Sequence, residues 1–143
     1  MLGSAETRRA FGQTDPQKRG INITLWVLQV LAAAAFVFAA VPKVTSDPLA
    51  VAGFDAIGFG NWFRYLIGTL EIAGAVALLI PRLCGLAGLA FVGLMIGAVI
   101  TQIVVFDGAF VVQPAVMLVI VAIIAWGRRG RTRELIRSVL IRA

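Results

Sequence analysis

A glutamate stands in the middle of an apolar run, and of all residues in this chain it most needs a chemical reason. Glu71 lies within WFRYLIGTLEIAGAVALLI. A charged group inside a membrane span is costly, so one that is retained implies a partner, a proton path or a polar ligand. Counted from Asn61, Glu71 is about 15 Å along a helix, close to the middle of a hydrocarbon layer about 30 Å thick. Arg64 precedes it by seven residues, nearly two helical turns, so Arg64, Gly68 and Glu71 share one helix face. The offset along the axis is about 10 Å, which a long guanidinium side chain bending inward closes in part. Gly68 between them leaves room for a neighbouring helix, a water or a ligand headgroup.

Other polar side chains count to similar depths. Gln29 lies about 18 Å inward from Val41, which predicts a position level with Glu71. Lys43 falls at the outer end of the first apolar run. Thr101 and Gln102 lie toward the outer end of the third, and Gln113 near the outer start of the fourth. Together they predict a polar-headed pocket opening outward or into the outer leaflet, with Gln29, Lys43, Trp62, Arg64, Gly68, Glu71, Gln102 and Gln113 as its candidate ligand-binding residues. The competing reading is structural: the same groups hold the helices in register as interhelical hydrogen bonds do. Should the chain be an enzyme, Glu71 is the candidate general acid or base and Arg64 its electrostatic support.

The chain contains one cysteine, Cys84, and no histidine. This excludes an intramolecular disulfide, histidine-ligated haem, a cysteine-ligated iron–sulfur cluster and a structural zinc site. No metal site is expected, nor a cofactor held covalently or through metal ligands. Cys84, beside small residues at the start of an apolar run, reads as an inert buried thiol.

The elements that must position these residues are membrane helices. The 143 residues are 60% hydrophobic and 14% charged, far from the roughly 45–50% and 25% of soluble domains. Four apolar runs are evident, at about 21–41, 62–80, 83–106 and 110–127, each near the roughly 20 residues that cross a bilayer. Short connections at Pro81-Arg82 and Asp107-Gly108 make successive helices antiparallel. The expected fold is all-α: an integral membrane four-helix bundle running up-down-up-down. Residues 42–61, rich in Pro, Gly and Asp, are expected to form an outer loop, its Leu49, Val51, Phe54, Ile57 and Phe59 folding back onto the bundle mouth. Phe38-Ala39-Ala40 imitates a signal-peptide cleavage site, but the long basic region before it and three further spans argue for a retained helix. Gly93 and Gly97 form a small-xxx-small pair expected to bring helices close.

The net charge of +6 is concentrated at the two ends. Residues 1–20, with Arg8, Arg9, Lys18 and Arg19, read as a disordered basic arm. Residues 128–143, with Arg128, Arg129, Arg131, Arg133, Arg137 and Arg142, read as a basic amphipathic tail whose Leu135, Ile136, Val139 and Leu140 suit the inner leaflet. The positive-inside rule places both termini in the cytoplasm and the chain in the cell membrane as a multi-pass protein. Basic residues flanking apolar spans point to lipid as the partner and away from nucleic acid.

Three segments in order, WVLQVLAAAAFVFAAVPKV, NWFRYLIGTLEIAGAVALLIPR and LAGLAFVGLMIGAVITQ, resemble the DoxX-like family of small four-helix membrane proteins over about residues 24–127. Lys43, Arg64, Gly68 and Glu71 fall on recurrent positions of its pattern; many members carry a histidine near the place of Gln102, which this chain lacks. The family is named for a small subunit of an archaeal terminal quinol oxidase, and other members are linked to membrane oxidoreductase assemblies. The resemblance implies an accessory subunit of a membrane redox system that binds a quinone-like or other lipophilic molecule in the polar-headed pocket near Glu71, with a redox enzyme or a second copy of the chain as partner. The alternatives are a membrane-embedded isomerase, cyclase or hydratase using Glu71, and a ligand-free structural or assembly protein.

Overall fold

The computed structural model describes residues 16–143. Those residues form six helices and no strand: α1 (Pro16–Val44), α2 (Pro48–Ile57), α3 (Asn61–Leu79), α4 (Cys84–Phe106), α5 (Val112–Gly127) and α6 (Arg129–Arg142). The fold is all-α. The expected disordered arm at 1–20 lies outside the described residues as far as residue 15, and its last five residues, from Pro16, already belong to α1.

Three helices are long and apolar enough to cross a bilayer: α1, α3 and α4, with mean hydropathies of 2.2, 1.4 and 2.4 over their central windows. The fourth qualifies only if α5 and α6, bent by 62° at their junction, count as one span. Alone, the 16 residues of α5 reach about 24 Å, a little short of the hydrocarbon thickness. The outward faces carry Leu31, Phe38, Val104, Val119 and Ile123 exposed, a surface that lipid tolerates and water does not.

The segment between α1 and α3 is not the loop that its composition suggests. Pro48–Ile57 is a helix. The Pro, Gly and Asp content that argued for a loop instead supplies its ends. Asp47 is the N-cap and accepts from the Leu49 N–H at 3.0 Å, Pro48 takes the first turn, where no N–H is needed, and Gly58 closes the helix at φ +86°. A second glycine, Gly60 at φ +87°, starts α3.

The helices pair in two tight couples, α1 with α3 and α4 with α5. Gly68 of α3 meets Ala40, Lys43 and Val44 of α1, while Leu78 farther along α3 meets Gln29, so this pair is antiparallel. Gly88 packs on the Ala125 backbone and Gly85 on that of Arg128, so α4 and α5 are antiparallel too. The core between the couples contains Ala32, Ala33, Phe36, Ala75, Leu78, Phe91, Met95, Val121 and Ile124. Small residues on α1 and α3 let the two helices approach, and the Phe36 and Phe91 rings stack at 3.7 Å between centroids.

Glycines on α4 divide by role. A Cβ at Gly85 would fall 2.7 Å from the Arg128 carbonyl and one at Gly88 3.1 Å from the Ala125 nitrogen, whereas Gly93 and Gly97 have nothing within 4 Å. The close helix approach expected of Gly93 and Gly97 therefore belongs to Gly85 and Gly88. Gly74, on α3, faces the Phe91 ring, whose Cε2 would lie 2.8 Å from an added Cβ. Because that ring is stacked on Phe36 and cannot swing away, Gly74→Val is expected to lower unfolding stability by about 1–3 kcal/mol through overpacking, measured by denaturation in mixed micelles. No measurable change would mean that the ring stack has slack.

Candidate functional site

The C-terminal end of α1 and the N-terminal end of α3 hold a chain of polar contacts that starts at Arg64. Its guanidinium is buried, 2% exposed. Nη1 donates to the Lys43 carbonyl, and Nη2 donates to Ser46 Oγ at 3.1 Å and Asn61 Oδ1 at 3.4 Å. The last carbonyls of a helix lack internal partners and carry its negative dipole end; Arg64 supplies both a donor and a positive charge to the end of α1. The guanidinium also lies over the Tyr65 ring, 4.3 Å from its centroid, and the Tyr65 hydroxyl is 2.8 Å from Ser46 Oγ.

With its carbonyl held by Arg64, Lys43 turns its side chain inward. The ammonium donates to the Ala39 carbonyl at 3.1 Å and to Glu71 Oε1 and Oε2 at 2.8 and 2.6 Å. The side chains are 17% and 5% exposed. Close approach of the two helices at Gly68 makes the reach possible, since a side chain there would meet Lys43 Cβ and Val44 Cγ1. Glu71 thus has a cationic partner, and it is Lys43 on the neighbouring helix, not Arg64 on its own.

Beside this pair lies a cavity of about 480 Å³, within the size range of small-molecule sites. Its walls come from five helices. Phe36, Ala39, Pro42 and Lys43 belong to α1, Phe63, Ile67 and Glu71 to α3, Met95 and Phe106 to α4, and Pro114 and Met117 to α5. Helix α2 covers it with Ala50, Gly53, Phe54 and Ile57. Gly93 and Gly97 face it, which accounts for the empty space beside them. Thr101, Gln102 and Gln113 add polar groups to a wall that is otherwise apolar. Gln102 Oε1 is buried without a hydrogen-bond partner.

The structure therefore brings Lys43, Glu71, Gln102 and Gln113 of the candidate residues to one cavity. Arg64 and Gly68 stand behind it, positioning Lys43. Trp62 is 64% exposed and packs edge-on against Phe63 at 5.7 Å, so it faces away, while Phe63 lines the wall.

Gln29 is not level with Glu71. It lies at the other end of the bundle, fully buried, donating to the Leu78 carbonyl at 2.6 Å. The helix of α1 continues to Val44, and Glu71 meets it at Lys43. Along α3, the Leu78 carbonyl that Gln29 meets is seven residues beyond Glu71, about 10 Å farther along the axis. There Gln29 accepts from Arg128 Nε at 2.7 Å, and Arg128 Nη1 donates to Asn22 Oδ1 at 2.7 Å. Arg128 is 6% exposed, a buried arginine that its place in a basic tail concealed. A signal existed, because Arg128 is the first charge after the last apolar run and Gln29 is the one polar side chain in the middle of the first. Cys84 is buried and its thiol donates to the Pro81 carbonyl at 3.3 Å. Among the described residues, no group of His, Cys, Asp and Glu side chains could hold a metal ion.

Apolar helices of spanning length around a lined cavity, with an ion pair at its head, define a small helical membrane protein. Residues 27–124 match the model of the DoxX-like family. That stretch is well over half of the chain, and the protein belongs to the DoxX-like family. No curated protein and no solved structure matches it.

Proposed function

We propose that this DoxX-like protein binds a lipophilic molecule with a polar head, of the quinone type, in the cavity beside Lys43 and Glu71, as an accessory subunit of a membrane redox system. The observation that carries the binding is the cavity itself: about 480 Å³, apolar along its length, with the ion pair and Gln102 in its wall. The apolar wall suits a ring and tail, and the polar groups orient the head. The redox role rests on the family. With no histidine and a single cysteine, the chain leaves electron transfer to the bound molecule or to a partner enzyme. Acid–base catalysis by Glu71 is less well supported, because both its oxygens are engaged by Lys43.

In this reading the chain is a four-helix, up-down-up-down bundle of the cell membrane with both termini in the cytoplasm. The basic residues at both ends and at Arg82 support the orientation. Helix α6 would then lie along the inner leaflet, tied to the α3–α4 turn by Arg131 Nη1 donating to the Pro81 carbonyl at 3.1 Å, with Ile136, Val139 and Leu140 exposed toward lipid. Single cysteines at Asp55 and Ala143, in a Cys84→Ala background, are expected to react with an impermeant maleimide from opposite sides of the membrane. Labelling of both from one side refutes the topology.

Binding is tested with a decyl-tailed benzoquinone as probe, by native mass spectrometry in mild detergent. The wild type is expected to retain one molecule. Gly97→Leu, which places a side chain in empty space rather than against a neighbour, is expected to reduce retention at least tenfold while leaving thermal stability unchanged. Retention unaffected by that change would refute the cavity as the binding site.

A further inference from the structure

The polar groups of the cavity are not balanced between donors and acceptors. An ammonium has three N–H donors and no acceptor. All three of those on Lys43 are engaged inside the protein, by the Ala39 carbonyl and by both oxygens of Glu71. The lysine therefore neutralises the site but has no proton left for a ligand. The Glu71 carboxylate is different. Two oxygens offer about four acceptor positions, and Lys43 occupies two of them. Thr101 has spent its hydroxyl proton on the Gly97 carbonyl at 2.9 Å, so it too can only accept. Gln102 Oε1 is a buried acceptor with no partner, a condition that costs free energy until a donor fills it. The amides of Gln102 and Gln113 keep N–H groups, but neither is charged. Arg64, the nearest other cation, stands outside the cavity with its Nη atoms bonded to Lys43, Ser46 and Asn61.

We propose that the cavity selects hydrogen-bond donors: it takes a lipophile bearing a phenolic or hydroquinone hydroxyl in preference to the corresponding carbonyl or ether. The inference rests on the binding reading above and sharpens its ligand class. A hydroxyl beside Gln102 gives a donor to an acceptor that now has none, and one beside Glu71 fills a lone pair that Lys43 leaves open. A carbonyl or ether oxygen brings another acceptor to acceptors and leaves the Glu71 lone pairs desolvated. Discrimination of this kind is strong when a buried polar group of the site is left unpaired by the wrong ligand. For a redox-active ligand the consequence is direct, since a hydroquinone carries two hydroxyl donors and its quinone none.

The test uses probes that cannot interconvert: 4-decylphenol and 4-decylanisole, alike in ring and tail and differing in the donor. Affinities for the delipidated protein in detergent are measured by isothermal titration, and Gly97→Leu defines the part due to detergent partitioning. The phenol is expected to bind about tenfold tighter or more, the ratio typical of one hydrogen bond to a charged group. Glu71→Gln is expected to cut the preference to about threefold or less, since its amide can donate as well as accept. Gln102→Leu, away from the ion pair, is expected to reduce it in part, and it serves where Glu71→Gln does not fold. Equal affinity for phenol and anisole, both lost in Gly97→Leu, would overturn donor selection and leave the binding site standing. A phenol preference undiminished in both variants would also overturn it. Binding of neither probe to folded protein would overturn this inference and the binding reading together.

Discussion

Lys43→Met is expected to lower unfolding stability by about 3–5 kcal/mol, because it leaves the Glu71 carboxylate buried without its counter-charge. In the wild type the ammonium lies 2.6 and 2.8 Å from the two carboxylate oxygens, and Glu71 is 5% exposed. Taking an ion from water to an apolar interior costs several kcal/mol even after relaxation, and the partner is what offsets it. Removing both charges is a different matter. The double variant Lys43→Met with Glu71→Leu fills the same space with apolar atoms and is expected to recover most of the loss, to within about 1 kcal/mol of wild type. Unfolding titrations with dodecyl sulfate in mixed micelles measure all three. A single variant as stable as the wild type would show that water reaches the pair. A double variant as poor as the single would show that Lys43 acts through packing rather than charge. The double variant is also expected to lose most of the preference for phenol over anisole, keeping only the share that Gln102 contributes.

The second large effect is expected at the opposite end of the bundle. Arg128→Leu removes the donor from a fully buried Gln29 carbonyl, at 2.7 Å, and breaks the contact with Asn22. A hydrogen bond to a charged group contributes about 1.5–3 kcal/mol, and an abandoned buried acceptor retains its desolvation cost. A total of about 3 kcal/mol follows. Asn22 is exposed and can turn to water, so Gln29 bears most of that loss. Arg128→Lys keeps the charge but not the two-armed planar geometry, and is expected to recover less than half of it. The decisive measurement is the double-mutant cycle with Gln29→Leu. Because the two side chains share one network, their effects are expected to fall short of additivity by more than 1 kcal/mol. Strict additivity would mean that the guanidinium stabilises α5 and α6 without regard to Gln29. Neither variant is expected to alter binding in the cavity beside Lys43 and Glu71, which the packed layer of Phe36, Phe91 and Met95 separates from this network.

These two polar clusters show how far counting along a helix carries. Rise per residue placed Glu71 deep in a span and Gln102 and Gln113 near its outer level, and all three line one cavity. The same arithmetic misplaced Gln29, because it measured from Val41 on one helix and from Asn61 on another as though the two began at the same height. In fact the α3 residue packed against Ala40, Lys43 and Val44 is Gly68, seven residues beyond Asn61, so the start of α3 stands well past the level of Val41. Facing residues on one helix suggested Arg64 as the companion of Glu71. The alternative from the neighbouring helix was closer, and Arg64 instead meets the unpaired carbonyl at the end of α1.

The residues between α1 and α3 teach the same point at the level of secondary structure. Proline, glycine and aspartate weigh against a membrane span, and in that sense their reading as a break between spans was sound. They do not weigh against a short helix when Asp47 and Pro48 start it and Gly58 ends it, since these are the residue types that helix ends prefer. Whether Gly93 and Gly97 admit a helix or leave a void was likewise undetermined by their spacing, which is the same in either case.

What the amino-acid sequence settles by itself is the class of solvent and the cost of its exceptions. Runs of apolar residues of bilayer length demand lipid, and the few polar groups inside them demand partners. Tertiary structure alone decides which partner each receives. It set Lys43 against Glu71, gave Gln29 to Arg128, and left Gly93 and Gly97 facing empty space while Gly85 and Gly88 met backbone. The reason is geometric: a sequence fixes position along a helix and around it, whereas the relative height and approach of two helices depend on how all their side chains pack together.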